Sequence, residues 1–160
     1  MNTHNFLLAA ALLTSLVSVS QAVDNKVAYP EGYRKWTHTK SMLIQPGHAL
    51  ADPFQGIHHI YANNKALAGL KSGSYEDGAT FVFDLLNYVD KDKTTTEAER
   101  KLIGVMHKDA KAHAATGGWG FEGFAGDSKT ERLTKDGGKG CFDCHTSGKG
   151  KDYVFSGFRN

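Results

Sequence analysis

The stretch "ATFVFDLL", residues 79–86, sets Phe81, Phe83 and Leu85 on one side of an extended chain. A period of two belongs to a half-buried strand. Working outward, the same period recurs. Upstream lie "HTKSMLIQ" (38–45) and "GIHHIY" (56–61), the second putting Ile57, His59 and Tyr61 on one face and His58 and Ile60 on the other. Downstream lie "LIGVM" (102–106) and "WGFEGF" (119–124). Turn residues separate the runs: Gln45-Pro46-Gly47, Asp52-Pro53, Glu76-Asp77-Gly78 and Gly117-Gly118. Two segments read as helix, "NNKALAGL" (63–70) behind an Asn cap and "DAKAHAA" (109–115). Pro30 and Glu31 suit a short helix at 30–36. Residues 123–140 are glycine-rich and read as a loop with one helical turn. The expected fold is α+β and strand-rich, an antiparallel sheet with short flanking helices.

Length and composition narrow the functional classes. "FLLAAALLTSLVSV" (6–19) is an apolar run too short to span a bilayer, and Ser20-Gln21-Ala22 offers small residues for a signal peptidase. Residues 1–22 are expected to be a signal peptide and 23–160 a single exported, periplasmic domain. No second long apolar run predicts a membrane span in the mature chain. The formal charge of +2 comes from interspersed acids and bases, which leaves no footprint for nucleic acid.

Both cysteines lie in Cys141-Phe142-Asp143-Cys144-His145, near the chain end. A disulfide over so small a loop would constrain little of the unfolded chain. A thioredoxin-like pair belongs at a helix start inside a βαβ unit, and no such unit surrounds it. Zinc would need further Cys or His ligands at finger-like spacing. The remaining reading is covalent attachment of one c-type haem. Two thiols at this spacing add across the porphyrin vinyl groups, and His145 becomes an axial ligand of the iron. Export agrees with such attachment.

Only 15 residues follow His145, and none is Met or His. A sixth iron ligand would have to come from upstream. Met42 and Met106 sit in apolar strand runs, where core filling is the ordinary role. His58 and His59 face opposite ways. His38, His48, His107 and His113 lie among polar residues and read as solvated. The alternative is an open position under an apolar lid, for which Phe54, Phe81 and Phe83 are suited. Such a lid withholds the hydrogen bond that stabilises bound oxygen by roughly 1–3 kcal/mol. Losing it costs oxygen a factor of about 10 to 100. Nitric oxide and carbon monoxide depend on that bond less.

"YRKWTHTKSMLI", "GIHHIYAN", "VFDLL", "RKLIGVM", "TGGWGFEGF", "CFDCH" and "DYVFS", in this order, resemble the cytochrome P-460 family over nearly the whole mature chain. The resemblance implies Cys141, Cys144 and His145 as haem residues and a periplasmic homodimer with an antiparallel sheet. One branch, cytochrome c′-β, has a five-coordinate haem, a hydrophobic distal cap and nitric oxide binding. That branch suggests Phe54 and Phe83 as the cap. An electron-transfer partner is expected as a second association. The other branch, cytochrome P-460 proper, oxidises hydroxylamine using a lysine cross-linked to the haem and a distal carboxylate. For it the sequence offers Lys65, Lys71, Glu122 and Asp127. Neither lysine falls convincingly just before the Phe-rich strand. The c′-β reading is favoured.

Overall fold

A computed structural model describes residues 25–159. Five strands form one antiparallel sheet in sequence order: β1 (Thr37–Ile44), β2 (Gly56–Ala62), β3 (Thr80–Lys91), β4 (Thr94–Lys108) and β5 (Trp119–Ala125). Short helical elements flank it: α1 (Ala51–Phe54), α2 (Asn64–Ser72) and α3 (Lys139–His145), with 3-10 turns at Tyr33–Lys35, Ala114–Thr116 and Thr146–Lys151. The expected strand-rich α+β class is therefore the observed one. The expected signal peptide lies outside the described residues. No helix among those described is long and apolar enough to cross a membrane.

Alternation divides the sheet into two faces. On one, Ala62, Phe81, Met106, Trp119 and Phe121 pack with Ala66 of α2 and with Phe142, Tyr153 and Val154 of the C-terminal segment. On the other, Val82, Ile103, Val105 and Phe124 pack under Val27, Tyr29, Tyr33 and Trp36 of the N-terminal segment. Asp84 is wholly buried in β3. Its Oδ2 accepts from Tyr33 at 2.8 Å and Arg34 at 3.1 Å, and its Oδ1 from Arg100 Nε at 2.6 Å. A buried carboxylate requires such partners.

The Asn cap before α2 has a wider role than capping. Asn63 Oδ1 accepts from Ala66 N at 2.8 Å and from Thr80 N at 3.1 Å, and Nδ2 donates to Gly78 O at 2.8 Å. It joins the helix start to the β3 entry. Asn63→Ala should therefore cost more than an isolated cap, about 2 kcal/mol. Urea denaturation checks this, and a loss below about 0.5 kcal/mol would rule out the joint role.

Three expectations need correction. Residues 109–115 do not form a helix. Asp109 Oδ1 accepts from Lys111 N and Ala112 N as a cap does, and His113 N closes one turn on Asp109 O, but the chain does not continue as α-helix: only Ala114–Thr116 is helical, as a 3-10 turn ended by Gly117 at φ +66. The strands β3 and β4 run beyond their apolar runs into a hairpin whose register continues to Lys91↔Thr94. His107 is half-buried rather than solvated: it hydrogen-bonds Thr80 Oγ1 at 2.9 Å, and burial lowers its pKa.

Candidate functional site

Helix α3 begins where Gly138 takes φ +85, and a Cβ there would stand 2.6 Å from Phe121 O. Only glycine lets the chain approach β5 so closely. Asp136 caps the start, accepting from Gly138 N at 3.0 Å and Gly140 N at 2.8 Å. Phe142 turns inward against Phe121 and Tyr153, with ring centroids at 6.3 and 5.2 Å. Cys141 and Cys144 carry free thiols, are exposed, and sit three residues apart, neighbours on one helical face.

His145 closes the helix. Its Nδ1 lies 2.7 Å from Tyr153 O. A carbonyl only accepts, so Nδ1 carries the hydrogen, and Nε2 of the neutral ring keeps a bare lone pair. Burial lowers the pKa of His145, partly opposed by this hydrogen bond, which favours the neutral ring. Phe121 and Phe155 flank the imidazole at 5.0 and 4.8 Å.

The carbonyl is aimed by a clamp. Asp152 and Tyr153 adopt φ +50 and +65, a strained left-handed pair for non-glycine residues. Asp152 is held by Lys108 Nζ, at 2.9 Å to Oδ2, and by Trp119 Nε1, at 3.3 Å to Oδ1. Lys108 also donates to Gly117 O at 3.1 Å. Gly117 in turn has φ +66, and a Cβ there would lie 2.3 Å from the Tyr153 ring. Sequence reasoning missed this clamp, because Lys108, Trp119 and Asp152 become neighbours only through the fold.

These residues fit a haem. Two thiols one turn apart offer two covalent anchors, and an oriented neutral imidazole offers a nitrogen for iron. Phe155, 51% exposed, and Phe158, 39% exposed, add apolar surface in this C-terminal segment.

Farther along the same sheet face, Phe54 of α1 meets Phe83 of β3 edge to face, centroids 5.7 Å apart. Phe83 also stacks on His58 at 4.6 Å. On the β4 side its neighbours across the sheet are Gly104 and then Gly123, which carry no side chain, and on the β2 side its partner is Ile60. His58 is buried, its Nδ1 has no hydrogen-bond partner, and burial pushes its pKa down to about 4. Met106 fills the core on this face.

The acids lie elsewhere. Glu122 belongs to the opposite face, with Phe124. Its carboxylate accepts from Thr134 Oγ1, from Arg132 at 2.7 Å and from Gly123 N at 2.8 Å. Burial alone would raise its pKa, but these bonds outweigh that and hold it low. Asp127 is exposed and paired with Arg100. Lys65 donates to Asp77 O at 2.7 Å, and Lys71 Nζ lies over Phe158 at 4.9 Å.

The family model described as Cytochrome P460 matches residues 30–156 of this chain. No curated protein matches.

Proposed function

Because the chain belongs to the cytochrome P-460 family, which implies a haem cofactor, we propose that it is an exported mono-haem cytochrome that captures nitric oxide or a similar diatomic ligand. In this reading Cys141 and Cys144 tether one haem c and His145 binds the iron. When bound, the haem would supply an iron able to take up a small ligand. The observation that carries the reading is the Nδ1–H of His145 donated to Tyr153 O, which leaves Nε2 free to ligate. Asp152, Lys108 and Trp119 hold that carbonyl in place.

Phe54 and Phe83 restrict ligand entry and present no donor, which withholds the hydrogen bond that favours oxygen. The apolar pair stands in contact on the same sheet face as Phe121, which flanks His145. Periplasmic location, which rests on the signal-peptide reading, a homodimeric state, which rests on the family resemblance, and an electron-transfer partner belong to the same reading. The hydroxylamine-oxidising alternative finds less support. Glu122 faces the other side of the sheet with its carboxylate engaged, and Asp127 is occupied by Arg100.

The test is the absorption spectrum of the reduced, haem-loaded protein before and after nitric oxide. A five-coordinate high-spin c-type spectrum that changes on addition is expected. A Soret band displaced far to the red would mean a cross-linked haem and the oxidising reading. In the same assay Phe54→Ala and Phe83→Ala should speed ligand association on the order of tenfold, about 1.4 kcal/mol of entry barrier. Unchanged rates in both variants would remove the lid.

A further inference from the structure

The sheet face opposite α3 carries a chain of polar side chains that the proposed function does not use. His38 Nε2 lies 2.9 Å from Ser41 Oγ, Ser41 Oγ lies 2.8 Å from His59 Nδ1, and His59 Nε2 lies 2.5 Å from Glu97 Oε1. The residues come from β1, β2 and β4.

Strand β1 must break its own pattern to assemble them. His38 and Ser41 are three residues apart and would face opposite ways on a regular strand. The register shifts between His38 and Lys40, so that His38 pairs with Tyr61 and Ser41 with His59. A bulge of this kind re-aims a side chain. Here it brings His38 to the face of His59, with ring centroids 5.5 Å apart, and Tyr61 packs on His38 at 5.6 Å.

The hydrogen bonds have one direction. A carboxylate only accepts, so His59 donates from Nε2 to Glu97, and Nδ1 of the neutral ring is a bare lone pair. That lone pair faces the same point, the Ser41 hydroxyl, as His38 Nε2. Histidines that bind metals ordinarily donate their other N–H to a carboxylate, which fixes the ring and raises its basicity. His59 already has that partner. His38 is exposed and can present Nε2 unprotonated by changing tautomer. Imidazole nitrogens suit Cu2+ and Zn2+, with Cu2+ the tighter of the two.

We propose that His38 Nε2 and His59 Nδ1 form a surface site for one Cu2+ or Zn2+ ion, with Glu97 orienting His59. Among the described residues no three His, Cys, Asp or Glu side chains converge to hold a metal. The protein thus supplies two nitrogen ligands, and Ser41 Oγ and water complete the shell. Binding forms two N–metal bonds, displaces metal-bound water and turns the Ser41 hydroxyl hydrogen away from His59. Both rings bind as neutral bases, and no electron moves.

The test is Cu2+ binding by equilibrium dialysis on the purified, haem-loaded protein, with Zn2+ as competitor and frozen-solution electron paramagnetic resonance. One equivalent with two nitrogen ligands is expected. His38→Ala and His59→Ala should each weaken binding at least about tenfold, and Glu97→Gln by about 10- to 100-fold. His59→Gln, which keeps a donor for Glu97, guards against loss through misfolding and should also lose the ion with the circular dichroism unchanged. His48→Ala, at an exposed histidine outside the cluster, should bind as the native chain does. Native-like affinity in the His38→Ala/His59→Ala double variant, or an equal loss in His48→Ala, overturns the site.

Discussion

Asp84→Ala should lower stability by about 3–5 kcal/mol and the melting temperature by on the order of 10–15 °C. The carboxylate side chain is 1% exposed and accepts from three groups. Removing it leaves Arg100, 13% exposed, with its Asp127 pair alone, and leaves the Tyr33 hydroxyl without its acceptor. Burial, with Asp84 adding to it and Arg34 opposing, pushes the Tyr33 pKa to about 12, so its hydroxyl stays protonated and needs that acceptor. Arg34 is 55% exposed, and Arg34→Ala should cost no more than about 1 kcal/mol. The contrast is the test. Thermal or urea denaturation giving equal losses for the two variants would mean that Asp84 does not hold the N-terminal segment to the sheet. A further check is proteolysis near Tyr33, which should quicken in Asp84→Ala only.

His145→Ala should abolish the proposed axial ligation while leaving the covalent tether on Cys141 and Cys144. The expected result is a haem that stays with the polypeptide through acidic organic extraction but lacks the spectrum proposed for the native chain. Added imidazole should restore that spectrum, because the space between Phe121 and Phe155 is vacated. An unaltered spectrum would mean that another residue ligates the iron. Asp152→Ala gives a graded companion. It removes the partner of Lys108 and Trp119 and so loosens the Tyr153 carbonyl, not the ligand itself. Its expected effect is a shifted spectrum and about a 10-fold weaker ligand affinity, the scale of losing a support behind a metal-binding histidine. If Asp152→Ala destabilises the chain with no spectral change, the clamp is structural only.

What the chain states locally was legible from it. Each apolar run with a period of two became a strand, because alternation is a property of neighbouring residues and needs no knowledge of the partner strand. Asn63 was readable as a cap for the same reason, since the hydrogen bond to Ala66 N spans three residues. Cys141, Cys144 and His145 read as one unit because the motif occupies five consecutive positions, which lie together on α3. Other features had no local sign. The hairpin from Asn87 to Lys101 is polar and mostly exposed, so it shows no apolar stripe, and its register is imposed by strand pairing. Residues 109–115 have helix-forming composition, yet the chain makes one turn after Asp109 and is stopped by Gly117 and Gly118 at positive φ. Phe54 reaches Phe83, Asp152 reaches Lys108 and Trp119, and Glu97 reaches His59 across long stretches of chain. Those contacts depend on sheet register, including the shifts between β3 and β4 from Leu85 to Tyr88, and tertiary packing alone decides them.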